Sequence, residues 1–415
     1  MGSSTEVTRK KPKNGRRNSI APPKLVQSFP QYESFLKHVS GQPWLALDTE
    51  SDSLFRYFPR VCLIQITCPA EPAGKPSPSG LAKVIDYLID PLQLGELSEL
   101  GDILADDSTE VILHAAENDI ITLQRDFDFR LTQIYDTQLA ARILGRQGVG
   151  LAKVLQEEFG VVSDKRMQRT DWGKRPLTPQ QLTYAQIDTH YLPALRARQM
   201  RTLEERGRWE EARAAFRMLE TIEYRPPEPR TVWQIKQIRT VAEKDLGVLQ
   251  AIWEWREKFS RQADRPPFKV LGEKTMVVLS HERPRSLARL RDIPGLSTRQ
   301  ISWFGKELLE AVRRGERMPS PQRPTPIRKA EPALTSAGKK RYEALRQWRT
   351  ETAAARGVDP DIVFSNETLL QIAACRPLTL DALREIPSVG AWKAQTYGEK
   401  LFRLLRTGPA DSQAS

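Results

Sequence analysis

The chain has 415 residues and a formal net charge of +12, and 28% of its residues are charged. Three scattered cysteines exclude a disulfide framework, and with only four histidines they argue against a zinc site. The sequence has no apolar run of transmembrane length and no hydrophobic signal segment, so we predict a soluble, cytoplasmic protein without membrane association.

The positive charge is unevenly distributed along a chain that is long enough for two or three domains. Residues 1–27 are polar, basic and proline-containing, which predicts a disordered tail. Residues 28–229 carry a charge balance of −7, whereas residues 230–318 carry +8. An acidic module joined to a basic one indicates a polyanionic partner, most simply nucleic acid, although each charged run also fits a solvated surface.

Strand-like and helix-like patterns alternate between residues 28 and 222, which predicts an α/β layer structure. The predicted strands are 44–48, 61–67, 83–88, 111–114 and 133–136. The predicted helices are 117–127, 137–144, 150–158, 178–199 and 202–220.

The rest of the chain contains a repeat, because a shift of 93 residues aligns two segments without a gap. Trp255 then aligns with Trp348, and both segments have helical periodicity. The sequence therefore predicts two small all-α bundles, over residues 230–318 and 334–410. The proline-rich stretch 319–333 is predicted to be the linker between them.

The strand that begins at Trp44 ends in two acids, Asp48 and Glu50, with Thr49 between them. Residues i and i+2 of a strand share a face, so the two carboxylates lie side by side next to an apolar run. Repulsion and desolvation make both harder to ionise. The pair is therefore unfavourable unless another group compensates it.

Two later segments place acids in similar settings. Asp119 falls in the first turn of a predicted helix, where the helix dipole favours an acid. Tyr184 and Asp188 are spaced i and i+4, so they share one face of another helix. Each feature is common alone, but together they allow four carboxylates from three segments to converge.

Four carboxylates in one place repel one another unless cations hold them. Oxygen ligands favour Mg²⁺ or Mn²⁺ over softer metals. Two such ions about 4 Å apart form the kind of site that cleaves phosphodiesters. We therefore predict two divalent cations, Mg²⁺ or Mn²⁺, with four metal ligands: Asp48, Glu50, Asp119 and Asp188.

The segments "DTE", "HAAENDI" and "YAQIDTHYL" resemble the three motifs of the DEDDy 3′–5′ exonucleases. The longer segment "DWGKRPLTPQQLTYAQIDTHYL" is similar to the ribonuclease D family, and the two repeats resemble its HRDC domains. The resemblance covers residues 28–408. It implies a ribonuclease-H-like exonuclease domain with a mixed sheet over residues 28–222, followed by two all-α HRDC domains.

The resemblance also implies a role for each motif residue. Asp48 would contact both cations, and Asp119 would hold one of them, partly through water. Glu50 and Asp188 would complete the site of the cation on the nucleophile side. Tyr184 would orient the attacking water, because an ordinary tyrosine pKa near ~10 favours positioning over full base catalysis.

Further residues are implied as substrate contacts. His114 matches a histidine that approaches the terminal nucleotide; the alternative is a strand-end histidine bonded to backbone. Leu54 matches a position that wedges against a base, with core packing as the alternative. Arg56 and Tyr57 are predicted to touch phosphate and base. Asp136 also ends a strand, and we predict that it is a structural cap.

The implied function is that of a metal-dependent 3′–5′ exoribonuclease. It would trim the 3′ ends of structured RNA such as tRNA precursors, release nucleoside 5′-monophosphates and act as a monomer. A 3′–5′ DNA exonuclease is an alternative, because only contacts to the 2′-OH distinguish the two substrates. A non-catalytic nucleic-acid-binding adaptor is another alternative, but it would require the loss of a metal ligand, and all four acids are present.

Overall fold

The computed structural model of the protein describes residues 20–71, 83–323 and 334–407. Six strands form one sheet: β1 (Lys24–Val26), β2 (Trp44–Ser51), β3 (Val61–Pro69), β4 (Val84–Ile89), β5 (Glu110–Leu113) and β6 (Ile134–Asp136). Their order is β1-β4-β3-β2-β5-β6. Strand β3 is antiparallel to β2 and β4, and the other neighbours are parallel. The predicted mixed sheet is therefore confirmed.

Nine helices accompany the sheet in the described part of the chain. They are α1 (Phe29–Val39), α2 (Pro91–Leu94), α3 (Ser98–Leu104), α4 (Glu117–Phe127), α5 (Thr137–Ile143), α6 (Leu151–Phe159), α7 (Pro179–His190), α8 (Leu192–Glu205) and α9 (Trp209–Leu219). The side chains of β2 alternate between the two faces of the sheet, and an apolar core lies on each face. Leu45 and Leu47 pack into one core, and Trp44 and Ala46 pack into the other.

Three details differ from the sequence predictions. Strand β1 lies inside the predicted tail. It forms because it pairs with β4, and a sequence of three residues does not indicate such a distant partner. The predicted helix 178–199 divides at Tyr191, since Pro193 cannot continue the hydrogen bonding of α7. The predicted helix 202–220 is interrupted at Gly207, which adopts a left-handed φ of 62°.

The second half of the described chain consists of two helical repeats. The first repeat contains α10 (Glu243–Gln262), α11 (Pro267–Val270), α12 (Glu273–Glu282), α13 (Leu287–Leu290) and α14 (Thr298–Gly315). The second repeat contains α15 (Ser336–Arg356), α16 (Pro360–Val363), α17 (Asn366–Cys375), α18 (Leu380–Arg384) and α19 (Gly390–Thr407). Each helix of the second repeat starts 92 or 93 residues after its counterpart.

The two repeats meet the sheet-containing domain in different ways. The first repeat has a separate apolar core, which includes Trp255 and Leu290. The second repeat shares one continuous apolar core with that domain, in which Ile362 and Phe216 both take part. The sequence similarity of the repeats therefore does not extend to how they pack.

Two predicted segments lie largely outside the described residues: the basic tail and the proline-rich linker. Within the described ranges, no helix is both long enough and apolar enough to cross a membrane.

The contact between the second repeat and the sheet domain predicts a difference between two glycines. Gly145 and Gly160 both have left-handed φ, so alanine should cost each about 1 kcal/mol of unfolding free energy. At Gly145 the added methyl group would also overlap the carbonyl oxygen of Gly357, whereas at Gly160 it would meet open space. Gly145→Ala should therefore lower stability by about 2 kcal/mol or more.

Urea unfolding of Gly145→Ala and of the matched control Gly160→Ala would measure this difference. Equal losses in the two variants would contradict the packing described at Gly145.

Candidate active site

The first part of the site is the C-terminal end of β2. Asp48 and Glu50 follow Trp44 and Ala46 on the same face of the strand, because every second residue points to that side. Asp48 pairs with Gln65 of β3 in the ladder, and the register of the two strands shifts just after Glu50. The sheet thus fixes both carboxylates at one place.

The second part comes from the turn between β5 and α4. Ala115 is left-handed in this turn, with φ 64°, and the backbone N–H groups of Ala115 and Ala116 donate to the Asp136 carboxylate. Asp136 also caps α5, which confirms the predicted cap. The turn places Asp119 in the first turn of α4, where its carboxylate accepts a 2.5 Å hydrogen bond from the Thr49 hydroxyl.

The third part is one face of α7. Tyr184 and Asp188 are both buried, and the tyrosine hydroxyl hydrogen-bonds the Asp188 carboxylate. The opposite face of α7 is fixed to the sheet. There, Gln186 Nε2 lies 2.6 Å and His190 Nδ1 lies 2.8 Å from the buried Asp86 carboxylate of β4. These contacts orient the helix so that Tyr184 and Asp188 face the end of β2.

The structure brings the predicted acids together in one cleft. Carboxylate oxygens of Asp48, Glu50 and Asp188 lie within 4.8 Å of one another, and Asp119 lines the same cleft. A set of carboxylate oxygens at this spacing fits a hard divalent cation. The same residues have no nitrogen or sulfur donor among them, which matches Mg²⁺ or Mn²⁺ better than zinc.

Burial is the main cause that raises the pKa of each acid, and repulsion from nearby carboxylates adds to it. The pKa of Glu50 rises to about 9, that of Asp188 to about 8 and that of Asp119 to about 7. The pKa of Asp48 is also well above its ordinary value, because it is buried and faces the other three acids. Burial and the neighbouring carboxylates raise the pKa of Tyr184 as well, so its hydroxyl keeps its proton. That state suits orientation of a water molecule rather than its deprotonation.

The structure places some of the predicted substrate residues in the cleft and others outside it. His114 lines the cleft, and its Nδ1 lies 2.9 Å from the Thr137 hydroxyl. Leu54 is 41% exposed, so the core-packing alternative is wrong. Arg56 and Tyr57 do not line the cleft. Both donate hydrogen bonds to Asp264 of the first repeat.

The cleft also contains residues that the sequence analysis missed. They are polar or basic and lie on α4, α5 and the segment before α7: Asn118, Gln138, Ser163, Lys165 and Gln168. Lys165 is the one Lys or Arg among the described residues that line this cleft, and its side chain is exposed. It lies in a polar loop without periodicity or motif spacing, so no sequence pattern indicates its position.

Comparison with protein-family models agrees with this geometry. Residues 24–204 match the "3'-5' exonuclease" family, and residues 245–312 and 338–405 match the HRDC domain. The fold and site thus define a 3′–5′ exonuclease domain followed by two HRDC domains, which confirms the predicted fold class.

Relatives of known function match nearly the whole chain. Ribonuclease D of Escherichia coli is 28% identical over 383 residues, which cover 91% of this chain and 96% of the relative. Ribonuclease D of Gluconacetobacter diazotrophicus is 25% identical and covers 92% of each chain. The crystal structure of the E. coli enzyme superposes with a TM-score of 0.61 at 25% identity, over 94% of this chain and all of that one. This chain is thus similar to ribonuclease D over nearly its whole length, and it is a 3′–5′ exoribonuclease.

A protein from Bifidobacterium adolescentis shares the fold as well. Its crystal structure has a TM-score of 0.73 at 20% identity, and the match covers 92% of this chain and 97% of the other.

The raised pKa values predict how the metal-free protein responds to pH. A folded-state pKa above the unfolded value means that the folded chain binds more protons, so its stability falls as pH rises. The unfolding free energy in chelator should therefore decrease from pH 6 to pH 9, the range in which Asp119, Asp188 and Glu50 ionise. Added Mg²⁺ should reduce this decrease, because a bound cation compensates the repulsion.

Thermal unfolding across pH, with chelator or with Mg²⁺, would measure this effect. Glu50→Gln should flatten the decrease, whereas Glu117→Gln, on the exposed side of α4, should leave it unchanged. If both variants keep the slope of the unaltered protein, the coupling between the acids is not as described.

Proposed function

We propose that this exoribonuclease trims the 3′ ends of structured RNA, with tRNA precursors as the substrate class, and releases nucleoside 5′-monophosphates with the help of two divalent cations. The observation that carries the proposal is the convergence of four acids in one cleft. Three of them offer carboxylate oxygens within 4.8 Å of one another. The crystal structure of the E. coli relative is described as that of an exoribonuclease involved in structured RNA processing.

The four acids divide the work of holding the cations. Asp48 faces the other three acids and would contact both ions, and Asp119 would hold one of them. Glu50 and Asp188 would complete the other site, next to Tyr184. When bound, the cations neutralise charge on the scissile phosphate and activate a water molecule. The raised pKa values support this role, because carboxylates that repel one another gain most from a cation.

Tyr184 and His114 would arrange the reacting groups. The protonated Tyr184 hydroxyl would orient the attacking water, since it already donates toward Asp188. His114 would face the terminal nucleotide, and burial lowers its pKa, so the ring is neutral in the cleft. A neutral ring suits stacking or hydrogen bonding rather than phosphate neutralisation. The exposed Lys165 supplies the positive charge that His114 does not.

A DNA exonuclease remains the second candidate, because the acids act on the phosphodiester and not on the sugar. The first HRDC domain and its flanking residues 230–318 carry a charge of +8, which suits either polyanion. Contacts to the 2′-OH would therefore decide between RNA and DNA.

The metal assignment predicts unequal effects of two substitutions. Asp48→Asn should abolish cleavage, with at least about a 10³-fold loss, because it removes a ligand of both cations. Tyr184→Phe should cost about 10- to 100-fold, because it removes an orienting hydroxyl but leaves the acids. Single-turnover cleavage rates in Mg²⁺, together with circular dichroism spectra to verify folding, would measure both. Near-normal turnover of Asp48→Asn would make the metal assignment wrong.

The direction of cleavage and the substrate class are tested by matched digestions. RNA and DNA of the same sequence, labelled internally, should be compared in Mg²⁺, in Mn²⁺ and in chelator. We expect nucleoside 5′-monophosphates from RNA, no products in chelator and strong inhibition by a 3′-phosphate, which would crowd the acids. Cleavage of a circular RNA, or faster digestion of the DNA than of the RNA, would reject the proposal. A tRNA precursor with a 3′ extension and its mature form complete the comparison.

A further inference from the structure

One surface next to the exonuclease domain combines exposed aromatic rings with basic side chains. Four Phe or Trp side chains of the described chain are strongly exposed, and three belong to this surface. Phe58 is 56%, Phe268 59% and Trp303 45% exposed. The name basic aromatic surface is used below for six residues: Phe58, Arg261, Arg265, Phe268, Lys269 and Trp303.

Cation–π contacts hold this surface together across two domains. Phe58 lies in the loop between β2 and β3, and the other five residues lie on the first HRDC domain. Three cations of that domain lie over aromatic rings, two of which come from the same loop. The pairs, with distances to the ring centres, are Arg261 over Tyr57 at 5.6 Å, Arg265 over Trp303 at 4.8 Å and Lys269 over Phe55 at 3.6 Å.

Asp264 fixes the loop against the first HRDC domain. Its carboxylate accepts hydrogen bonds from the backbone N–H groups of Tyr57 and Phe58, at 3.0 and 3.2 Å, and from the Arg56 guanidinium at 3.2 Å. Asp264 is left-handed, with φ 45°, which places its side chain at the corner after α10. The loop and the first HRDC domain therefore form one rigid surface, on which the exposed rings are held in place.

The second HRDC domain provides an internal comparison. The corner that follows α15 corresponds to the corner after α10 by the shift of 93 residues, but it has none of the rings or cations. The residues at the corresponding positions are Ala354, Val358, Asp361, Ile362 and Thr396.

Part of this second corner packs against the exonuclease domain. Val358 and Ile362 are 8% and 7% exposed, because they share an apolar core with residues such as Phe216. Asp361 also forms a 2.5 Å ion pair with Arg142 of the exonuclease domain. One corner of the same helical unit thus packs against protein, while the other is aromatic, basic and left open to solvent.

We propose that the basic aromatic surface stacks the unpaired bases of the RNA that precede the 3′-terminal nucleotide. This inference rests on the proposed function, because it names the path of the same substrate outside the acidic cleft. Exposed rings offer base-stacking faces of any sequence, and the three cations offer contacts to the phosphates between them. The positive charge of the surface complements the phosphates of a nucleic acid. Charge attraction alone would not require exposed rings, which stacking on bases does.

The position of the surface suits a strand that enters the cleft. Phe58 follows Glu50 by eight residues of one hairpin, so the two lie within about 28 Å of each other. A single-stranded 3′ end held by the acids would therefore reach these rings after a few nucleotides. A paired stem offers no free base faces, so this surface distinguishes single-stranded tails from blunt ends.

The test compares the binding of two RNA hairpins, one with a single-stranded 3′ tail and one with a blunt end, to the full-length protein. Filter binding in chelator keeps the RNA intact. Phe268→Ala and Trp303→Ala should each weaken binding of the tailed hairpin about tenfold and change binding of the blunt one little. Trp303→Phe, which keeps a ring, should restore most of the affinity. Phe29→Ala removes an equally exposed ring from α1 and serves as the matched control.

Salt dependence separates stacking from charge. The alanine variants should lower affinity without changing the slope of affinity against salt, because the rings carry no charge. Arg265→Gln should reduce that slope. Circular dichroism and thermal unfolding of each variant would verify that the fold is kept.

Three outcomes would overturn the inference. The first is unchanged binding of the tailed hairpin by both alanine variants, and the second is an equal loss with the blunt hairpin. The third is found by light scattering: a dimer for the unaltered chain and monomers for the alanine variants, which would make the surface a self-association interface. Failure of the proposed function appears separately, as tailed RNA that is bound through the rings but not cleaved when Mg²⁺ is added.

Discussion

Repulsion among four carboxylates is the constraint on which the rest of this structure depends. Left to themselves, Asp48, Glu50, Asp119 and Asp188 would separate, because burial and like charge raise the pKa of each of them. They stay together because each belongs to a rigid element with its own apolar packing. A strand, a turn followed by a helix and a second helix meet at one point, and the sheet core holds them there. The protein therefore uses core stability to maintain an acidic cleft that a cation can relieve.

The supporting contacts lie one layer behind the acids. Asp86 holds the back of α7 through Gln186 and His190, so the helix that carries Tyr184 and Asp188 cannot rotate without breaking buried hydrogen bonds. Asp136 has the same function for the turn before α4, since it accepts from two backbone N–H groups of that turn. Two buried acids thus position the acids of the cleft while taking no part in it.

The two HRDC domains show how one helical unit acquires two different surfaces. Their internal framework is the same, as a pair of arginines illustrates: Arg256 donates to the Leu271 carbonyl, and Arg349 donates to the Phe364 carbonyl. The outer corners differ in composition. In the second domain, apolar residues of the corner join the exonuclease core, whereas in the first domain the corner carries rings and cations and contacts the loop between β2 and β3. The two domains can share a core and still differ at the corner. Core residues are constrained by packing within the unit, whereas corner residues are constrained only by what they contact outside it.

Local periodicity and short motif spacing are enough to predict the α/β alternation, the repeat and the grouping of the four acids with Tyr184. Tertiary structure decided the features that depend on distant partners. Strand β1 exists through pairing with β4, and Lys165 reaches the cleft from a loop without a pattern. Arg56 and Tyr57 were predicted as substrate contacts, but the structure places them against Asp264, more than 200 residues further along the chain. Spacing along a chain fixes which face of an element a side chain occupies, whereas only the packing of elements fixes what that face meets.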